Sequence, residues 1–175
     1  MMNETIKTLL ERRSIRAYRP EQIKEEELQA ILEAGLYAPS GMGRQAPVLV
    51  AIQDPQTIAQ LSKMNAKIFG KEDIDPFYGA PTVVVALCHP KAFTGVEDCS
   101  LALGNMMNAA WSLGVDSCWI HRAKEEFASE EGKALLRSWG VPDDDVGVGH
   151  CLLGYRACEV PEAAPRKDGR LFRVI

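Results

Sequence analysis

The sequence predicts a layered fold in which one sheet is covered by helices on both faces, all within one domain of 175 residues. Three observations carry this. Apolar residues recur every three or four positions in separate segments, the period of helices packed along one side. Short β-branched or small apolar runs alternate with those segments. The clearest such run, Thr82–Cys88, is apolar without alternation, which marks a strand buried on both faces. A chain of this length buries about 70% of the surface its unfolded form exposes, so it needs no staple.

Each element has a local reason. In Glu4–Arg12, Asn3 is a helix N-cap, and Ile6, Leu9 and Leu10 share one face. Lys24–Tyr37 is a second helix, with Leu28, Ile31 and Leu32 at helical spacing and Glu25–Glu27 at its positive end. Residues 38–47 are rich in Pro and Gly and form a long loop. Val48–Gln53 is a short strand. Asp54-Pro55 supplies a cap and a first-turn proline for a helix running to about Phe69. A loop over Lys71–Pro81 leads into the Thr82–Cys88 strand. Gly95–Leu113 is apolar around most of its circumference, which places it in the core or at a subunit interface. Asp116–His121 reads as a strand, Glu125–Trp139 as a helix stopped by Gly140-Val141-Pro142, and Val146–Tyr155 as a further strand. The tail, about 158–175, is Pro-rich and then basic, with a candidate edge strand at Leu171–Ile175. It has little to bury by itself, so docking on a second copy is expected.

Composition narrows the function. With 20 Lys and Arg against 24 Asp and Glu, the net charge is −4, which argues against a nucleic-acid binder. The five cysteines include no C-x-x-C pair, and the three histidines lack ligand spacing, so neither a disulfide scaffold nor a metal site is expected. No apolar run reaches membrane length and no secretory leader is evident, so a cytoplasmic location is expected, with no membrane partner. The acidic total conceals an asymmetry. Of eleven arginines, seven lie within 12–19 or 166–173, an arrangement suited to enclosing an anion.

Gly41-Met42-Gly43-Arg44-Gln45-Ala46 matches the spacing of a dinucleotide fingerprint, but it follows a helix and precedes a strand, the reverse of what that motif requires. Arg12-Arg13-Ser14-Ile15-Arg16 offers planar forks and a hydroxyl for a phosphate. In extended chain, residues 12, 14 and 16 point to one side. The alternative is solvated charge at a helix C-terminus. In Pro39–Gln45, two glycines let backbone approach a planar ligand, while Ser40 and Gln45 can bond ring heteroatoms; the alternative is a plain connector. Arg166-Lys167 is a second cationic group or a solvated tail.

Taken in order, R-R-S-I-R-x-Y, A-P-S-G-x-x-x-Q, F-Y-G-A-P, E-D-C-S-L-A-L-G-N-M-x-x-A-A-x-x-L-G, S-C-W-I and a late A-P-R-K-x-G-R resemble the FMN-dependent nitroreductase family, in particular its short members. The resemblance runs along nearly the whole chain. It implies an α+β, three-layer α/β/α fold with a mostly antiparallel sheet. It implies a homodimer with FMN at the interface and a tail that packs on the partner subunit. By the same resemblance, Arg12, Ser14 and Arg16, with Arg13 adjacent, fall on phosphate and ribityl contacts, and Arg166 and Lys167 close over the phosphate. Pro39, Ser40, Gly41, Met42, Gly43 and Gln45 reach the partner's flavin. Ile120, His121 and Arg122 lie near flavin N5 and O4, and Asn65 matches a flavin-touching asparagine. Gly43 stands where many members carry Asn, and Ala46-Pro47 where many carry Pro-Trp.

The activity implied is reduction of nitroaromatics, quinones or related small conjugated acceptors by NADH or NADPH in a ping-pong hydride mechanism. No side-chain nucleophile is required; His121 is a candidate proton donor or a packed strand histidine. The rival reading is a non-redox protein that stores flavin or senses a phosphorylated metabolite.

Overall fold

The computed structural model describes residues 2–175. Strands β1 (Val48–Ile52), β2 (Thr82–Cys88), β3 (Asp116–Ile120) and β4 (Val146–Gly154) form one sheet in the order β1-β2-β4-β3. All three pairings are antiparallel. The α-helices among the described residues are α1 (Glu4–Glu11), α2 (Glu25–Leu36), α3 (Pro55–Phe69), α4 (Gly95–Ser112), α5 (Ala123–Ala128) and α6 (Glu130–Ser138).

The pleat of β2 divides the core. Val83, Val85 and Leu87 face one cluster with Leu61 and Met64 of α3, Ala123 and Phe127 of α5 and Leu136 of α6. Val84, Ala86 and Cys88 face the other, with Leu28 and Ile31 of α2 and Cys99, Leu103, Met106 and Ala110 of α4. Side chains alternate across a strand, so a run without polar positions must be covered twice. This is the expected α+β arrangement of a mostly antiparallel sheet between helices.

Two expectations are corrected. The helix expected over Glu125–Trp139 is interrupted at Ser129, whose backbone is extended (φ −76°, ψ 157°). Ser129 caps α6 by accepting a hydrogen bond from the Gly132 amide at 3.0 Å, satisfying a donor that a helix start otherwise leaves unpaired. The break lets Gly132 lie against the end of α5, where a Cβ would sit 2.1 Å from the Glu126 carbonyl oxygen. The edge strand expected at Leu171–Ile175 is absent, because the segment lies along neither edge of the sheet. Leu171, Phe172, Val174 and Ile175 are at least 80% exposed.

Other apolar surface is uncovered too. α1 has no buried residue, and its Ile6, Leu9 and Leu10 are exposed. α4 buries one side, while Val96 and Leu101 face outward.

Asp145, just before β4, is buried and its Oδ1 has no hydrogen-bond partner. Burial pushes its carboxyl up, helped by Asp144 and opposed by His89. The native state therefore holds this proton more tightly than the unfolded chain does. Its contribution is present below the unfolded pKa and is lost as pH rises through the folded one. Asp145→Asn is expected to raise the melting temperature at neutral pH, with the gain shrinking toward acid; thermal unfolding at several pH values measures this.

Candidate functional site

The segment after α1 is extended and lies along the free edge of β3. The Ile15 amide donates to the Ser117 carbonyl at 3.0 Å, and Ser14 makes a parallel bridge to Ser117. Ile15 is completely buried, which anchors the segment in the core. Arg12, Ser14 and Arg16 all lie near enough to Cys118 to act on its thiol. Burial pushes that thiol up, while Arg16, a Ser14 hydrogen bond and Arg12 pull it down. Arg12 Nη1 is buried without a partner. A buried guanidinium nitrogen with no acceptor is unfavourable unless an anion meets it. Arg13 is placed differently: its Nη1 donates to the Leu10 carbonyl at 2.8 Å and the Arg12 carbonyl at 2.7 Å. It caps the end of α1, where a cation suits the helix dipole.

The second group lies where β3 ends. Arg122 adopts a left-handed conformation (φ 81°) and starts α5. Its Nε donates to Asn65 Oδ1 at 2.9 Å, and its guanidinium carbon lies 4.4 Å from the centre of the Phe69 ring. Asn65, on α3, is completely buried. Its Nδ2 donates to the His121 carbonyl at 2.8 Å and also to Glu126 Oε1. The amide hydrogens of Asn65 are thus engaged with the protein, and the side chain braces the 121–122 backbone. His121 is exposed beyond the strand end rather than packed within it.

Sequence reasoning missed the partner of this group. Glu126 Oε2 lies 2.8 Å from His150 Nε2, and both side chains are completely buried. The approach is close but not aligned as a hydrogen bond. The available signal was a histidine inside an otherwise apolar strand, since a buried ionisable group requires a partner.

The Pro39–Gln45 loop sits apart from both groups. Ser40 Oγ accepts from the Gln45 amide at 2.9 Å, and the Gly41 amide donates to Asp98 Oδ1 at 3.0 Å. A Cβ on Gly41 would lie 2.2 Å from Thr94 Oγ1, so any side chain there would force Thr94 to move. Met42, Gly43 and Gln45 all have positive φ, and Met42 is 77% exposed. Leu36, Tyr37, Pro39, Ser40, Gly43 and Gln45 line an open cavity of about 610 Å³. The contacts of Gly41 are with the first turn of α4, whereas residues 12–16 lie beside the strand that follows the last turn. An 18-residue helix is about 27 Å long, so the two groups lie at opposite ends of α4.

Arg166 and Lys167 are not brought to Arg12 within the chain. Arg166 donates only to the nearby Ala164 carbonyl, at 3.2 Å and 2.5 Å. Residues 158–175 are all exposed. A further cavity of about 620 Å³ lies between α3 and the 71–81 loop and is lined by none of the expected cofactor-binding residues.

The model of the nitroreductase family matches residues 9–155. The chain belongs to this family. Among solved nitroreductases, one with bound FMN from Bacteroides fragilis is 35% identical, with a TM-score of 0.91 over 99% of this chain and 100% of that one. A nitroreductase with bound FMN from Desulfitobacterium hafniense is 30% identical, with a TM-score of 0.88 and the same coverage of both chains. An NADPH-flavin oxidoreductase of Vibrio harveyi is 37% identical, the match covering 94% of this chain and 70% of that one.

Proposed function

We propose that this nitroreductase-family protein is an FMN-dependent oxidoreductase that uses NADH or NADPH to reduce small conjugated acceptors. The observation that carries the reading is the buried, unpartnered Arg12 Nη1 beside Ser14 and Arg16. This donor set suits a phosphate monoester: guanidinium forks bind such oxygens bidentately and a hydroxyl adds one more bond. FMN supplies hydride transfer from NADH or NADPH to an acceptor such as a nitroaromatic or quinone.

The protein's contribution is binding, orientation and charge. Arg12, Ser14 and Arg16 hold the phosphate end. Ile120, His121 and Arg122 present backbone to the ring edge, with Asn65 bracing them from beneath. Arg122, in the ring-edge group, would place positive charge near where electron density accumulates on reduction. His121, being exposed, is free to donate a proton to the acceptor.

The reading extends to a homodimer. The Pro39–Gln45 loop contacts the first turn of α4, away from residues 12–16, which supports a ligand held by residues 12–16 meeting that loop from a second copy. The exposed apolar residues of α1 and of the tail support the same arrangement. In it, each chain is a single domain whose segment 158–175 packs on its partner and carries Arg166 and Lys167 over the phosphate. No described helix is long and apolar enough to cross a membrane. The five free thiols fit a reducing, cytoplasmic setting.

Purified protein is expected to be a yellow dimer whose visible absorbance bleaches on anaerobic addition of NADH or NADPH and returns with a quinone. Sedimentation with absorbance detection reads both mass and bound flavin. A monomer that takes up no FMN would overturn the reading, and binding without bleaching would favour a flavin store or sensor.

A further inference from the structure

We propose that the buried Glu126–His150 pair is a positioning device that holds three consecutive residues, Ile120, His121 and Arg122, in the geometry required at the ring edge of the cofactor. This inference rests on the flavin reading above.

Each of the three residues is held by a different contact, and the contacts converge on Glu126. His150 Nδ1 faces the Ile120 carbonyl at 3.4 Å, while Nε2 of the same ring lies 2.8 Å from Glu126 Oε2. Asn65 Nδ2 bridges the His121 carbonyl and Glu126 Oε1. Arg122 Nε is tied to the same amide through Asn65 Oδ1. One carboxyl group thus accepts from a carboxamide and closely faces an imidazole, and these two side chains meet two successive carbonyls and a guanidinium.

Packing alone does not require this arrangement. The pair sits in the apolar cluster beneath the sheet, with the Phe77 and Phe127 rings centred 5.1 Å and 6.4 Å from that of His150. Two hydrophobic residues there would avoid the desolvation of a carboxylate. Arg122, a non-glycine residue at φ 81°, also needs surrounding structure to hold it in a sparsely populated backbone region. The polar group therefore opposes local stability while constraining the backbone segment nearest the proposed chemistry. Glu126 and His150 are positioning residues because neither reaches the surface to touch cofactor or substrate.

Glu126→Ala is expected to accelerate amide hydrogen exchange across 120–122 by about tenfold or more in both the FMN-free and the FMN-loaded protein. It should also lower kcat by about tenfold or more with KM for NAD(P)H little changed, since misplacement by a fraction of an ångström is felt strongly at a reacting centre. The visible flavin bands should broaden as the ring edge loses its fixed contacts. Glu126→Gln keeps an acceptor for Asn65 and is expected to restore most of the exchange protection and of kcat. If Glu126→Ala does not fold, Asn65→Ala carries the same readouts. Unaltered exchange, spectrum and kcat in a variant that merely melts earlier would overturn the proposal. Failure of the unaltered protein to bind FMN would overturn the flavin reading instead, and with it the purpose of the clamp.

Discussion

Arg12→Ala is expected to weaken FMN binding by about tenfold to a hundredfold, the worth of one charge-assisted hydrogen bond at roughly 1.5–3 kcal/mol. Arg12 is singled out within the basic segment because its Nη1 is buried and has no protein partner. A solvated arginine exchanges water for phosphate at little net gain; a desolvated one gains its first acceptor. Quenching of FMN fluorescence on titration into the FMN-free protein measures the change. Arg13→Ala is the internal control. Its guanidinium already serves the Leu10 and Arg12 carbonyls, so it should loosen the end of α1 and leave FMN affinity nearly unchanged. Equal affinities for the Arg12 variant and the unaltered protein would remove Arg12 from the phosphate site.

The largest effect on stability is expected from Phe127→Ala, at about 3–5 kcal/mol, the usual loss when a buried aromatic leaves a cavity in a core. Phe127 is 2% exposed and meets the edge of the Trp139 ring at 5.9 Å between centroids. It also anchors α5, a helix of six residues, too short to persist without tertiary contacts. Urea denaturation should show a lower midpoint with the slope retained. A shift equivalent to less than about 1 kcal/mol would mean that the neighbouring rings collapse into the space, contrary to the close packing described.

Much of the fold was legible because its signals are local. Asp54-Pro55 starts α3, and the unbroken apolar run of Thr82–Cys88 has the bounds of β2. The break between α5 and α6 was obscured by competing signals. Ser129-Glu130-Glu131 has the form of a helix start, yet the apolar period continues across it, and only the approach of Gly132 to Glu126 decides for two helices. The common neighbourhood of Arg12, Ser14 and Arg16 was legible because alternation in a five-residue stretch puts 12, 14 and 16 on one side. The division of labour between Arg12 and Arg13 was not, since it depends on which guanidinium folds back onto the helix. The Glu126–His150 pair was hidden for another reason. The two residues lie 24 positions apart on different elements, and only the docking of α5 against β4 makes them neighbours.

In the proposed dimer, the uncovered α1 face and the exposed tail would make cofactor retention a matter of mass action. If one flavin draws its phosphate contacts from one chain and its loop contacts from another, FMN binding and subunit association are linked equilibria, and each ligand stabilises the state the other selects. Dilution alone should then release FMN, and excess FMN should hold subunits together at concentrations where they otherwise part. The apparent cofactor affinity would be set as much by the abundance of the protein as by its arginines.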